Sequence, residues 1–334
     1  MNVAINGFGR IGRAAFKILL DKKGISIVAI NDLTDTKTLA HLLQYDSCYG
    51  KYEKKVGAED GRLAVDGKKY QVLAEKEPAK LPWAKLKVDV VLECTGRFLD
   101  TAGAGGHLEA GAKKVVISAP AKDKNIKTIV LSVNEKDLTK TDKIISMASC
   151  TTNCLSPVTK IISDNFGIKK AVTSTIHSYT ADQSLVDGPH KDLRRARAAA
   201  VNIVPTTTGA AKAAALAMPE LSGKFDGVAF RVPTPVVSLC DTVFVIGKKV
   251  SEEQANQVLI KAAAGAFKGY LEVIDEPLVS SDFIGNPHSA IVDLALTKVI
   301  DGDLLKVVSW YDNEWGYSCR LADLCVYIAK KRLI

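Results

Sequence analysis

No run in the chain approaches the ~18 consecutive apolar residues that a membrane-spanning helix needs, which argues against a helical membrane protein. The first apolar strand begins at Val3, leaving no room for a signal peptide, so a cytoplasmic location is expected. A disulfide framework is also lacking. The seven cysteines, Cys48, Cys94, Cys150, Cys154, Cys240, Cys319 and Cys325, are odd in number and scattered, as suits a reducing compartment. No further Cys or His cluster completes a zinc site around Cys150 and Cys154, so no metal is expected and Cys154 reads as structural. Aromatics interleaved with basic residues, the stacking platform of single-stranded nucleic-acid binders, are missing too. The net charge of +8 is largely interleaved with acids, and its densest patch is Lys191 to Arg197. That patch suits a charged face or a small phosphate-bearing substrate better than nucleic acid as a primary partner.

What is present is enough chain for about two domains: 334 residues, 47% of them hydrophobic. Val3-Ala4-Ile5-Asn6 is a short strand followed at once by Gly7-Phe8-Gly9-Arg10-Ile11-Gly12 and an apolar helical pattern. This is a dinucleotide fingerprint in its proper context. Gly7 permits the tight turn, Gly9 lets the backbone approach a pyrophosphate and Gly12 lets the helix sit close to the strand. A second strand, Ile25 to Ile30, leads to Asp32, 20 residues beyond Gly12, where a carboxylate can accept from ribose hydroxyls and repel a 2′-phosphate. NAD is therefore favoured over NADP. Runs at Val88 to Leu92, Val115 to Ile117 and Ile144 to Ala148 alternate with helical stretches, which predicts an α/β fold with a doubly wound parallel Rossmann sheet. Ligands bind at the carboxyl ends of such strands, so Cys94-Thr95-Gly96 and Ser118-Ala119-Pro120 should line the cofactor crevice. Thr101 to Gly106 holds three glycines and reads as a frayed helix start.

Ser149-Cys150-Thr151-Thr152-Asn153-Cys154 sets a thiol where a strand ends and a helix begins. Unpaired N–H groups and the helix dipole there can depress a cysteine pKa from about 8.5 toward 7 or below. A lone cysteine is more often a small buried hydrophobe, but His177 follows 27 positions later at the end of a β-prone run, far enough for helix, turn and returning strand to bring the two together. Beyond Cys150, longer strands at Phe225 to Val232, Val236 to Val250 and Leu304 to Tyr311 predict a second, α+β catalytic domain with a mostly antiparallel sheet. Apolar residues of both parities in Val236 to Val245 predict burial of both sheet faces, one under helices and one against another subunit. Pro205 to Ala213 reads as a hydroxyl-rich turn opening a helix, an anion site to which Arg195 and Arg231 could add forked donors. The expected domains are 1–149, completed by a C-terminal helix over 313–334, for NAD, and 150–312 for catalysis.

With Asn6 to Arg13, Ser149 to Cys154, His177-Ser178-Tyr179-Thr180, Arg194 to Arg197 and Ser309 to Glu314 all in order, the chain resembles phosphorylating glyceraldehyde-3-phosphate dehydrogenases of the NAD-type, bacterial-like kind. The resemblance implies Cys150 as nucleophile and His177 as its base. It implies Thr180 and Arg231 for the substrate phosphate, and Ser149, Thr151, Thr208, Gly209 and Arg195 for inorganic phosphate. Arg10, Ile11, Asp32, Ser118 and Asn313 match cofactor contacts, and Lys76 stands where many relatives have arginine, able to reach adenine through its carbonyl. Leu33 and Pro189 match NAD-type relatives, whereas Gly188 replaces a leucine common among them. The implied partners are glyceraldehyde 3-phosphate, inorganic phosphate and further copies in a homotetramer. The rival readings are a sibling dehydrogenase of erythrose 4-phosphate and, more distantly, a non-catalytic RNA- or dinucleotide-binding role.

Overall fold

Short apolar runs joined through helices become a parallel sheet because each such strand must be buried on both faces. The computed structural model describes residues 1–334, and the chain divides into two units: Met1–Ile129 with Glu135–Ala148 and Ser318–Ile334, and Val130–Asn134 with Ser149–Tyr317. In the first unit seven strands run parallel in the order Lys127–Thr128, Ile144–Ser146, Lys114–Ile117, Val90–Glu93, Asn2–Asn6, Ser26–Asn31 and Lys68–Leu73. Strand order reverses between Asn2–Asn6 and Val90–Glu93, and a crevice opens outside the carboxyl ends at such a switch. Helix α1 (Arg10–Leu20) buries Ala14, Ala15, Phe16 and Leu19, with Phe16 edge-on to Phe8 and Tyr70 at 5.4 and 5.0 Å. Helix α2 (Thr36–Gln44) is capped by Asp35, whose side chain accepts from Thr38 N. The strand expected to run through Ala148 stops at Ser146, since Ala148 turns the chain with φ 55°.

Two features of this unit depart from the sequence reading. Val56–Glu59 and Arg62–Val65 add two antiparallel strands at the Lys68–Leu73 edge, through turns in which Asp60-Gly61 and Asp66-Gly67 all have positive φ. The glycine-rich segment is an intact helix, α3 (Thr101–Glu109), capped by Asp100, whose carboxylate accepts from Gly103 N at 2.8 Å. A Cβ at Gly106 would lie 3.2 Å from Ala79 N and Pro78 Cβ. That glycine permits close packing on the 3-10 turn Pro78–Lys80, which offsets its helix-propensity cost of about 1 kcal/mol. The C-terminal helix expected over 313–334 runs Trp315–Lys331. Within the first unit it buries Leu321, Leu324 and Ile328, and Asp323 pairs with Lys22 at 2.7 Å.

The second unit holds eight strands in the order Val204–Thr207, Phe225–Val232, Ile168–Ser178, Ser238–Ile246, Leu304–Tyr311, Ala290–Asp293 and Leu271–Ile274, with Lys298–Ile300 beside Leu304–Tyr311. Two neighbouring pairs are parallel and the rest antiparallel. Helices α4 (Cys150–Phe166), α5 (Ala210–Ala217) and α6 (Glu252–Ala264) share one core with the sheet, where Leu155, Val158 and Ile162 meet Phe244, Ile246 and Val307. Pro205 to Thr207, read as part of a turn, is an edge strand, where a missing N–H is tolerated. The strand expected over Val236 to Val250 spans only Ser238–Ile246, because Val237 takes φ 70° and Gly247 N turns back to Phe166 O. Along it Ser238, Cys240, Thr242, Phe244 and Ile246 are buried, while the alternating residues are half-buried. The single chain thus covers one face of this sheet, not both.

Candidate active site

The glycine loop is built as its spacing requires. Gly7 has φ 91°, and a Cβ there would lie 2.8 Å from Cys94 C and Thr95 N; a Cβ at Gly12 would lie 2.1 Å from Gly7 O. At Gly9, the residue preceding α1, a Cβ would meet no protein atom within 4 Å, so that side of the loop is open to a ligand. Asp32 accepts from Phe8 N at 2.7 Å and Thr34 N at 2.9 Å, tying the loop to the second strand. A cavity of about 460 Å³ is lined by Gly7, Gly9, Asp32, Leu33, Lys76 and Thr95, among others. Glycine contacts that admit no side chain, a carboxylate at the strand end and a helix N-terminus facing open space fit a dinucleotide. The remaining residues matched to the cofactor are placed differently. Gly96 turns the chain after Thr95 with φ 69°, Ser118 N donates to Glu93 O at 3.0 Å, and Ile11 lies in the first turn of α1. Arg10 pairs with Asp46 at 2.5 Å and lies over the Tyr49 ring.

In the second unit Cys150 is the first residue of α4. Ser149 caps that helix, its hydroxyl accepting from Thr152 N at 3.1 Å. The Cys150 Sγ lies 3.5 Å from His177 Nε2. The His177 Nδ1 sits 2.7 Å from Ser178 O; a carbonyl only accepts, so the proton is on Nδ1 and the bare Nε2 faces the thiol. Behind the pair, Thr151 Oγ1 contacts Tyr311 OH at 2.8 Å, and the Tyr311 ring meets the imidazole edge-on. Burial pushes the Cys150 thiol up to about 11, opposed by Thr151 and the Arg231 charge. Burial, then Arg231, pushes His177 down to about 4. Burial of both groups thus opposes the charge that the helix start favours. The thiol is only partly enclosed, and moving its proton to Nε2 would set opposite charges 3.5 Å apart, where each favours the other.

Next to this pair stand the cations. Arg231 is in register with His177 on the neighbouring strand and donates to Thr180 Oγ1 at 2.8 Å, while its buried Nε has no partner. Arg195 donates through Nε to Thr206 Oγ1 at 2.9 Å. Asp182, overlooked in the sequence although only two residues from Thr180, accepts from Thr180 and Arg195 and lies 4.0 Å from Arg231. It thereby draws three of the residues matched to phosphate into one cluster. Thr208 and Gly209 instead open α5, Thr208 Oγ1 accepting from Ala210 N at 3.2 Å. Asn313 Oδ1 accepts from Ser178 and Ser238 at 3.0 and 3.1 Å, which fixes its amide and turns its Nδ2 to other acceptors. Ser178 and Ser238 carried no signal of their own in the sequence. Cys154 is fully buried, 3.2 Å from Ser309 Oγ.

Comparison with known proteins adds to this geometry. Residues 1–101 match the family model described as the NAD binding domain of glyceraldehyde 3-phosphate dehydrogenase, and residues 149–313 match that of its C-terminal domain. The chain is 54% identical to glyceraldehyde-3-phosphate dehydrogenase 1 of Bacillus subtilis and to glyceraldehyde-3-phosphate dehydrogenase of Geobacillus stearothermophilus, covering 100% of this chain and 99% of each relative. It is 55% identical to the Mycolicibacterium smegmatis enzyme of the same name, over 99% of both chains.

Proposed function

The chain belongs to the glyceraldehyde-3-phosphate dehydrogenase family, and on that premise we propose that Cys150 and His177 carry out the NAD-dependent oxidative phosphorylation of glyceraldehyde 3-phosphate in glycolysis. The observation that carries the site assignment is the Cys150 thiol 3.5 Å from the bare nitrogen of His177 at the start of a helix. As His177 Nε2 takes the thiol proton, Sγ attacks the aldehyde carbon and a thiohemiacetal forms. The developing oxyanion is held by the Cys150 N–H, which the helix leaves unpaired. His177 returns that proton to the oxyanion, which gives the thiohemiacetal hydroxyl, and its freed Nε2 takes it again as the carbon is oxidised, leaving a thioester on Sγ. Bound NAD supplies the acceptor for the hydride. Gly7, Gly9, Gly12, Asp32, Lys76 and Thr95 are the residues that would hold it, with Gly96 beside them at the same strand end and Arg10, Ile11, Ser118 and Asn313 matched to it by resemblance. Inorganic phosphate, received by Ser149, Thr151, Arg195, Thr208 and Gly209, attacks the thioester. Sγ leaves as thiolate and 1,3-bisphosphoglycerate departs, its own phosphate held by Thr180 and Arg231.

Formation of NADH on mixing the protein with NAD, phosphate and glyceraldehyde 3-phosphate tests this reading. The Cys150→Ser variant should lose at least ~10⁴-fold in rate while still binding NAD. Retention of dehydrogenase activity by that variant would remove Cys150 from the role. Phosphate-independent turnover that prefers erythrose 4-phosphate would transfer the assignment to the sibling enzyme.

No helix is long and apolar enough to cross a membrane. Leu185, Val186, Leu193, Val201 and Ile203 are each more than two-thirds exposed, and the outer face of the second sheet is only half-buried. These surfaces, with the family resemblance, support a homotetramer. Light scattering should give a mass four times the 35.8 kDa chain; a monomer at micromolar concentration would refute it.

A further inference from the structure

Beneath the dinucleotide crevice lies a hydrogen-bond network that none of the chemistry above uses. Glu93 ends its strand with a fully buried side chain. Its Oε1 accepts from Thr95 N at 2.8 Å and from Thr95 Oγ1, and its Oε2 accepts from Asn6 Nδ2 at 2.5 Å and faces His107 Nε2 at 3.0 Å.

The directions of the bonds to Glu93 can be assigned. An indole N–H only donates, so Trp83 Nε1, 3.0 Å from His107 Nδ1, forces that nitrogen to accept. The ring proton is therefore on Nε2 and points at Glu93. On the other side, Glu75 N donates to Asn31 Oδ1, and Asn31 Nδ2 donates to Glu75 O and to Asn6 Oδ1. The backbone of Glu75 thus fixes the orientation of both asparagine amides. All chains of donors end on Glu93, and only a carboxylate can accept at all these places.

The consequence is geometric. Asn6 precedes the glycine loop, and Thr95 begins the turn on the facing wall, where Thr95 Oγ1 also accepts from Arg97 N at 3.1 Å. Those two backbones already touch so closely that a Cβ on Gly7 would be 2.8 Å from Thr95 N. Resting on the reading that this crevice takes NAD, we propose that Glu93 is a positioning residue for the dinucleotide. Its carboxylate sets the separation of the Asn6–Gly7 wall from the Thr95–Arg97 wall, and His107, oriented by Trp83, supplies its deepest donor.

NAD binding to the folded protein, followed by fluorescence titration, tests this. The variant Glu93→Gln presents an NH2 group to donors on one side or the other and should weaken NAD binding at least tenfold, with kcat at saturating NAD within threefold of the parent. His107→Leu removes a donor and should weaken binding severalfold, whereas His107→Gln, which can still donate to Glu93, should restore most of it. Equal affinities in the two His107 variants would overturn the proposal, and these two carry the test if Glu93→Gln does not fold. Asp32→Ala, titrated in parallel, separates the two readings. If it weakens binding and Glu93→Gln does not, the positioning role fails and the crevice assignment stands. If neither variant alters binding, the crevice assignment fails and the inference with it.

Discussion

Replacing His177 by asparagine is expected to lower kcat by about 10²- to 10⁴-fold, the range for loss of a positioned general base. The imidazole has two tasks at one nitrogen, taking the thiol proton during attack and the hydroxyl proton during oxidation, and an amide can do neither. Because burial holds the thiol up at about 11 when it must ionise alone, the same variant should also lose the partner that allows charge at sulfur near neutrality. The pH midpoint for alkylation of Cys150 by iodoacetamide should therefore move upward by more than one unit. The parent should be labelled selectively at this one cysteine among seven at pH 6 to 7, and the variant should not. An unchanged alkylation profile would mean that the helix start and Arg231 suffice to make the thiolate, and His177 would keep only its role in oxidation.

The second large effect is expected from Gly12→Ala. A methyl group 2.1 Å from Gly7 O has no side chain to push aside, since the obstructing atom is backbone of the turn itself. Either α1 or the loop must shift, at a cost of about 1 to 3 kcal/mol, and the anion-facing N–H groups shift with it. NAD affinity should fall by about 10- to 100-fold, the equivalent of that cost, together with a lower melting temperature. Gly9→Ala provides the contrast. Its Cβ meets no protein atom within 4 Å, so the melting temperature should hold while the methyl occupies space meant for the ligand and NAD binding falls. Equal melting temperatures for parent and Gly12→Ala would contradict the packing argument.

The dinucleotide half of the molecule was legible because its signals are local: three glycines at fixed spacing, and an acid at the end of the next strand. Pairing Cys150 with His177 was legible for a related reason, since strand end, helix and returning strand leave few places for residue 177. The Asp60-Gly61 and Asp66-Gly67 turns are equally local hairpin signals, but the short strands they join, Val56–Glu59 and Arg62–Val65, carry little apolar alternation to mark them. Thr101 to Gly106 misled for a physical reason: helix propensity counts against Gly106, whereas its contact with Pro78 and Ala79 is tertiary and leaves no periodicity. Asp182, Ser178, Ser238, Tyr311 and the Glu93 network were invisible for the same cause. Each acts through a partner distant in sequence or through a turn, and no spacing rule announces such partners.

The first unit is closed by residues more than 300 positions apart in sequence, Asn2–Asn6 at the sheet centre and Leu321, Leu324 and Ile328 in its core. A ribosome synthesising this chain therefore finishes the catalytic sheet while the cofactor unit still lacks its last helix. Removing Trp315–Lys331 would leave the catalytic sheet's strands intact but deprive the nucleotide half of this support. Quality control in the cell would thus meet a nascent protein whose earliest-made half is the last to become stable.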